Sequence, residues 1–343
     1  MEKNKLIGIG VIAILAVAGV IVAMHFLSLE NGETLLDPPG GLPEGDAPEG
    51  ALILNDIEGN PVAEIPMATL VELLRNETIP LVECNSTENR AGFNPLDLFH
   101  YYGLNFVNEF ELVASDGNSG IINYETFYMG DPNYYRDAIQ EYTMIALAIN
   151  GTWLNELNED WGNLHAFGDS LAISQKMGDI VNITVESELL VSVYIDDTLE
   201  FYLSADNMTD TTTFAFNYTT YDWSYKCNAS GTSWAGLDLE GTTITSIAEQ
   251  AGLLGEYNVS FISVDGWGAR WEYNQTQMEE GITHQQINDP PEPFDNEGKQ
   301  TMLNIAGEGD YLNYEEGPFR IVMPGDFRNR YQKAVTEIRF TTG

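Results

Sequence analysis

The chain has 343 residues, with 53 acidic and 14 basic side chains, a formal net charge of -39 and 43% apolar residues. This apolar content is that of a folding chain, not of a disordered acidic tail. Because nucleic-acid affinity comes mainly from Lys and Arg contacts with phosphate, the charge excludes a nucleic-acid binder. Two cysteines are too few for a disulfide framework, and the length corresponds to about two domains of roughly 150 residues each.

The first predicted element is a transmembrane helix over residues 6–27, a run without any Asp, Glu, Lys or Arg. At about 1.5 Å per residue it is long enough to cross a bilayer. Lys3 and Lys5 precede it and acidic residues follow it. The positive-inside rule therefore predicts a single-pass protein of the cell membrane, with residues 1–5 in the cytoplasm and residues 28–343 outside. A signal peptide cleaved near Ala16-Val17-Ala18 is the alternative.

Residues 28–50 are predicted to form a stalk, because residues 36–50 (LDPPGGLPEGDAPEG) contain four Pro and four Gly. Asn-x-Ser/Thr sequons throughout the remaining chain predict an exported glycoprotein, with ordinary turn and strand polarity as the alternative. The sequons are Asn76, Asn85, Asn150, Asn182, Asn207, Asn217, Asn228, Asn258 and Asn274.

From Ala51 onward the chain repeats a series of landmarks in the same order. Cys84 and Cys227 lie 143 positions apart, whereas Gly103 and Gly252 lie 149 positions apart. A slow drift of this kind is what insertions in loops produce. The pattern predicts a duplicated domain, and two copies are too few for a solenoid.

The two copies are predicted to be strand-rich α+β domains over residues 51–185 and 186–343. Short β-rich runs carry this prediction: ALILND, PLVEC, FELVAS and MIALAI in the first copy, and LLVSVYI, FAFNY, VSFISV and TEIRF in the second. One helix is predicted in each copy. It is clearest in ITSIAEQAGLL, where Gly252 suits a helix C-cap.

The second copy carries a specific set of motifs. Cys227 is followed by W-A-G-L-D-L from Trp234, A-G-L from Ala251, D-G-W from Asp265 and GPFRIVMPG from Gly317. These motifs resemble the sulfite-oxidase type of molybdopterin-binding domain, in which a W-x-G-V-x-L segment opens a helix that closes on A-G-V. The first copy keeps fewer of them. The resemblance implies an α+β fold of two tandem domains of this type after one transmembrane helix.

In that family a cysteine thiolate binds molybdenum, and basic side chains hold the pterin and its phosphate. The resemblance therefore implies Cys227 as the metal ligand and Arg320, Arg330 and Lys333 as cofactor-binding residues. A thiolate suits a metal already bound by sulfur, and phosphate needs Arg or Lys donors. Ion pairing with the surrounding carboxylates is the alternative use of these basic residues.

Four features favour an empty domain. The segment before Cys227 offers no Arg or His for an anionic substrate, and sequons at Asn85 and Asn228 directly follow the two cysteines. The N-terminus has no twin-arginine signal, and the first copy lacks the late basic segment. Cys84 and Cys227 are then interpreted as buried free thiols, with a disulfide between the copies or metal ligation as alternatives.

The main functional hypothesis is thus a membrane-anchored, extracytoplasmic scaffold for binding or assembly, without a cofactor and with a protein or surface-assembly partner. The alternative is a molybdenum-cofactor oxidoreductase. Zinc is not predicted, because the histidines have no metal-ligand spacing. The histidines are His25, His100, His165 and His284. Asp116-Gly117-Asn118 and Asp265-Gly266 are interpreted as turns, with calcium ligation as the alternative.

Overall fold

The structure is a computed structural model. It describes residues 41–85, 88–130, 143–168, 170–209, 218–227, 232–266, 268–269, 271–280, 299–307, 309–314, 317–323 and 332–343. At residues 85, 130, 218–227 and 232–237 only the backbone is described. The predicted transmembrane helix at residues 6–27 and the first part of the predicted stalk lie outside these ranges.

The first half of the chain runs from β1 to β10. Its elements are β1 (Ala51–Asn55), β2 (Pro61–Pro66), α1 (Met67–Arg75), β3 (Val82–Asn85), β4 (Asn89–Phe93), α2 (Pro95–Tyr101), β5 (Val107–Ala114), β6 (Ser119–Asn123), α3 (Tyr124–Gly130), β7 (Met144–Ile149), β8 (Thr152–Trp153), α4 (Leu154–Leu157), β9 (His165–Phe167) and β10 (Ile180–Glu188).

The second half runs from β11 to β20. Its elements are β11 (Val191–Ile195), β12 (Thr198–Leu203), α5 (Ala205–Thr209), β13 (Tyr218–Cys227), β14 (Thr232–Thr243), α6 (Ile244–Gln250), β15 (Tyr257–Ser263), β16 (Tyr273–Asn274), α7 (Gln275–Glu280), β17 (Met302–Gly307), β18 (Asp310–Tyr311), β19 (Arg320–Val322) and β20 (Val335–Thr342).

The two halves have the same sheet topology. In the first half one sheet has the order β2-β1-β10-β5-β6, and the other has the order β3-β4-β7-β8 with β9 also paired to β7. In the second half the orders are β12-β11-β20-β15-β16 and β13-β14-β17-β18, with β19 paired to β17. Each half has one parallel pairing, β1 with β10 and β11 with β20. The strand-rich α+β part of the predicted fold class agrees with this arrangement.

The predicted fold class is corrected on one element. Within the described residues, no helix is long and apolar enough to cross a membrane, whereas the prediction included one such helix.

Local signals in the sequence start and end the helices of both halves. Asn94 precedes α2, and its side chain accepts a hydrogen bond from the Leu96 amide at 3.0 Å. Thr243 precedes α6, and its hydroxyl accepts a hydrogen bond from the Ser246 amide at 3.3 Å. These side chains satisfy amides that the first helical turn leaves unpaired. Gly252, with φ +87°, follows α6 as predicted from its sequence.

The two halves share one continuous apolar core, which contains buried side chains from β1 through to β20. Phe106 of the first half packs against Tyr311 and Phe319 of the second, with ring centroids 5.1 Å apart in both pairs. A separate small cluster lies on the outer face of the sheet that contains β3, β4 and β7. The halves are therefore joined by packing as well as by the chain.

Two segments are placed differently from the sequence predictions. The boundary predicted at residues 185 and 186 falls inside β10, which ends at Glu188. Trp234, expected from the resemblance to open a helix, lies in β14 instead, and the helix begins at Ile244. The twelve residues of β14 pair with β13 along most of their length and with β17 over the last five residues, which gives backbone groups of this segment partners in the sheet.

Residues 41–50, the described part of the predicted stalk, lie against the first half. Leu42 and Ala47 pack on the core. The Arg75 guanidinium donates to the carbonyl oxygens of Pro43 and Gly45, the latter at 2.9 Å. These ten residues therefore belong to the folded body and do not act as a free spacer.

Candidate ligand-binding cleft and predicted site residues

The predicted metal ligand and the predicted cofactor-binding arginine lie in different parts of the second half. Cys227 ends β13 opposite Thr232 of β14. Arg320 begins β19 opposite Asn304, which in turn pairs with Gly241 of β14. Thr232 and Gly241 are nine positions apart on one strand, which corresponds to about 30 Å at the usual rise per residue. The structure does not bring Cys227 and Arg320 together.

Only one of the other two predicted cofactor-binding residues is described. Lys333 is half-buried just before β20, and Arg330 lies outside the described residues. Arg320 itself is only 8% exposed. Among the described backbone positions, only the separation of Cys227 from Arg320 bears on a shared cofactor site, and it gives that site no support.

The register of the strands also separates the two cysteines. Gly92 and Gly241 occupy equivalent places, because a Cβ atom at either would lie 2.1 Å from a backbone carbonyl oxygen of the next strand. Cys84 is opposite Arg90, two residues before Gly92. Two residues before Gly241, the opposing residue on β13 is Tyr221. The structural counterpart of Cys84 is thus Tyr221, and Cys227 lies further along a longer hairpin.

Cys84 is a buried free thiol, which is the interpretation favoured from the sequence. It is 2% exposed and belongs to the small outer cluster. The other buried members of that cluster are Val82, Met144, Ala146, Ile149 and Leu154. A thiol surrounded by apolar side chains behaves as a small hydrophobic group, so Cys84 does not fit the role of a metal ligand. The side chain of Cys227 lies outside the described residues.

A group of aromatic and basic side chains lies at the edge of this outer cluster and was not predicted. The Arg90 guanidinium is 4.3 Å from the centre of the Phe167 ring and forms an ion pair with Glu88 at 3.1 Å. His165 stacks on Phe167 with ring centroids 4.3 Å apart, and Trp161 meets His165 edge-on at 5.8 Å. Cation–π contacts of this kind stabilise a cation that is mostly removed from water.

His165 is held in its neutral form by this environment. Burial, and then the positive charge of Arg90, lower the pKa of His165 to about 4. Its ring nitrogen Nδ1 is buried without a hydrogen-bond partner among the described residues. An imidazole that is desolvated beside a guanidinium resists a second positive charge.

We expect acid to destabilise the protein through His165. An unfolded histidine has a pKa near 6.5, so between about pH 6.5 and pH 4 the unfolded chain binds a proton that the folded chain does not. Above pH 6.5 His165 is neutral in both states and does not lower the free energy of unfolding. As the pH falls from 6.5 towards 4, protonation of the unfolded chain lowers the free energy of unfolding. Urea unfolding of the wild type and of His165→Gln across this range would show it. The wild type should lose stability relative to the variant on acidification, and parallel pH profiles would contradict the assignment.

A cleft of about 300 Å³ opens where the two halves meet. Its walls come from the turn after β1, the loop before β5, the end of β10, the start of α5, and β18. The lining residues are Asp56, Ile57, Gly103, Leu104, Asn105, Phe106, Val107, Val185, Glu188, Ala205, Asp206 and Tyr311. Both halves are needed to form it. A concave, partly apolar site with a few polar groups is the usual form of a small-molecule site.

The carboxylates of the cleft differ in their environments. Burial raises the pKa of Glu188, and the nearby negative charge of Asp206 raises it further. Burial also acts to raise the pKa of Asp56, but hydrogen bonds from Asn60 and Glu58 outweigh it, and the pKa is lowered. The Asn60 amide is 2.7 Å from Oδ1 of Asp56. The cleft therefore keeps negative charge at neutral pH.

Phe106 joins the cleft to the junction between the halves. Its φ of +62° lies in the left-handed region, which is a rare conformation for a bulky residue. Its carbonyl oxygen accepts a hydrogen bond from the Leu189 amide, and its ring is 5% exposed between the two halves. Contacts with both halves hold the loop that lines the cleft in this conformation.

The predicted glycosylation sites fall into three groups. Exposed side chains are found at Asn76, Asn150 and Asn274. Half-buried side chains are found at Asn182, Asn207 and Asn258. Asn217, Asn228 and the side chain of Asn85 lie outside what the structure describes. Glycosylation of these sites stays a prediction, and an oligosaccharide fits the first group best because their side chains already face solvent.

The chain matches no model of a known protein family, and no curated protein sequence matches it.

Proposed function

We propose that this chain is a binding module that holds a small organic ligand in the cleft between its two halves. The observation that carries the proposal is the cleft itself, which combines loops of both halves into one concave site of about 300 Å³. Sites for small molecules are common where two structural units meet.

The composition of the lining supports binding rather than covalent chemistry. The walls carry apolar groups, two aromatic rings and three carboxylates, and the described residues that form them include no Ser, Thr, Cys, His or Lys. Nucleophilic catalysis commonly uses one of those side chains beside a base. Carboxylates and rings can orient a ligand without reacting with it.

The alternative is an oxidoreductase with molybdenum cofactor at Cys227. It has less support, because Cys227 and Arg320 lie about 30 Å apart along the strand direction. Metal analysis of natively purified protein separates the two hypotheses. Near-stoichiometric molybdenum with a pterin signature would contradict the binding-module hypothesis and support the oxidoreductase.

Methyl NMR tests ligand binding at the cleft directly. Ile57, Leu104 and Val185 line the cleft, whereas Ile173 and Leu254, each 92% exposed, do not. We expect at least one member of a panel of choline, butylamine, 3,3-dimethylbutan-1-ol and butyrate to shift the first group saturably and leave the second unchanged. If no member of the panel shifts the cleft methyls, the proposed function is wrong.

A further inference from the structure

The cleft has a feature that selects among small ligands, and the inference drawn from it rests on the proposed function. Beside its apolar walls it has an aromatic surface. Tyr311 is 38% exposed and meets the buried ring of Phe106 edge-to-face at 5.1 Å and 83°. Whether Tyr311 supplies the edge or the face of this contact, at least one face of its ring does not contact Phe106. An open ring face attracts a cation through its quadrupole.

The charge of the lining also favours a cationic ligand. Asp56, Glu188 and Asp206 come from three separate elements, and no basic side chain is among the described residues of the lining. Glu188 is half-buried, so its charge is incompletely hydrated. Incomplete hydration raises the free energy of the ionised carboxylate. A ligand with a positive charge offsets this cost, because an opposite charge within a few Å favours the ionised form.

The remaining walls distinguish an organic cation from a metal ion. The side chains of Ile57, Leu104 and Val185 are apolar and offer no oxygen to calcium or magnesium, which take most of their coordination from oxygen. Within the described residues there is also no group of three or more His, Cys, Asp or Glu side chains placed to hold a metal ion. Alkyl groups on a cation would instead bury apolar surface against these walls.

We propose that the cleft takes an organic cation, either a quaternary ammonium or a protonated alkylamine. The carboxylates supply the charge complement, the Tyr311 ring faces the cationic head, and the aliphatic walls contact its alkyl groups. Cation–π contacts in partly desolvated sites contribute about 1–2 kcal/mol. This corresponds to roughly a tenfold preference over an uncharged ligand of the same shape.

The test compares choline with 3,3-dimethylbutan-1-ol, which replaces the quaternary nitrogen by carbon and removes the charge. The methyl groups of Ile57, Leu104 and Val185 report binding of each compound to the full chain. We expect choline to bind at least tenfold more tightly at low ionic strength and to lose affinity as salt is added, because salt screens the carboxylates.

Matched variants assign the effect to the cleft. Glu188→Gln and Tyr311→Leu should each weaken choline binding about three- to tenfold. Glu186→Gln removes the same charge from an exposed position of β10 outside the cleft, and it should change the affinity less than about twofold.

Each outcome decides between the two proposals. Equal binding of choline and its neutral analogue at the cleft would overturn the cation inference and leave the binding module standing. Saturable shifts with calcium chloride but not with choline would also overturn the inference. A failure of the whole panel to shift the cleft methyls would remove the binding module and the inference together.

Discussion

Gly241→Ala is expected to destabilise the protein by about 3 kcal/mol or more. A Cβ atom at this position would lie 2.1 Å from the carbonyl oxygen of Leu303 and 2.8 Å from the Cα atom of Asn304. Both atoms belong to the backbone of β17, which pairs with β14 on one side and with β18 and β19 on the other. Relief of the clash requires the strands to separate, which breaks the hydrogen bonds of the ladder. Urea unfolding measures the loss.

A second glycine on the same strand pair is the control. At Gly307 a Cβ atom would lie 3.3 Å from a methyl group of Leu239, which can move. Gly307→Ala should therefore stay within about 1 kcal/mol of the wild type. Gly92→Ala should behave like Gly241→Ala, because its Cβ would lie 2.1 Å from the carbonyl oxygen of Ile145. If Gly241→Ala and Gly307→Ala are equally stable, the register of β14 on β17 is wrong.

Some of the strands and helices could be predicted from the sequence, and others could not. Strands such as β5 were predictable because they alternate between buried and half-buried residues, and β7 because all six residues are apolar. The helix α6 was predictable from its apolar period and the glycine that follows it. Strands of mixed composition, such as β4 (NRAGF), carry no period that distinguishes them from loops. Pairing with neighbouring strands decides their structure.

The alignment of the two cysteines failed for a related reason. Matching residues by type placed Cys84 beside Cys227, but the hairpin of β13 and β14 has strands of ten and twelve residues, whereas β3 and β4 have four and five. Extra residues at the turn end of a hairpin do not disturb the sheet at its other end. Cys227 therefore matches Cys84 by residue type, but the strand register places Cys227 in the added part of the longer hairpin.

The cleft could not have been predicted from sequence alone. Asp56, Glu188 and Asp206 are spread over about 150 positions of a chain with 53 acidic residues, so nothing in the charge pattern distinguishes them. Arg90 and His165 were equally hidden, because they meet only through the pairing of β4, β7 and β9. Long-range strand pairing creates both groups, and no local pattern records it.

The second large loss of stability is expected from substitutions of Tyr314, which joins the two halves. Its ring is 1% exposed and lies 5.7 Å from the ring of Tyr124. Its hydroxyl accepts a hydrogen bond from the Val107 amide at 2.8 Å and donates one to the carbonyl oxygen of Leu104 at 3.2 Å. Tyr314→Phe keeps the ring but leaves a buried amide unpaired, which should cost about 1–3 kcal/mol. Tyr314→Ala also removes the ring and should cost about 3–5 kcal/mol.

The difference between the two variants separates the hydroxyl from the ring. Tyr202→Phe removes a hydroxyl from a half-exposed tyrosine of β12 and should change stability by less than about 0.5 kcal/mol in urea unfolding. Leu104 and Val107 also line the cleft, so loss of the Tyr314 hydroxyl should loosen the loop that forms one of its walls. Faster amide hydrogen exchange at Val107 in Tyr314→Phe would show this loosening. If stability and exchange both match those of Tyr202→Phe, the Tyr314 hydroxyl does not hold the two halves together.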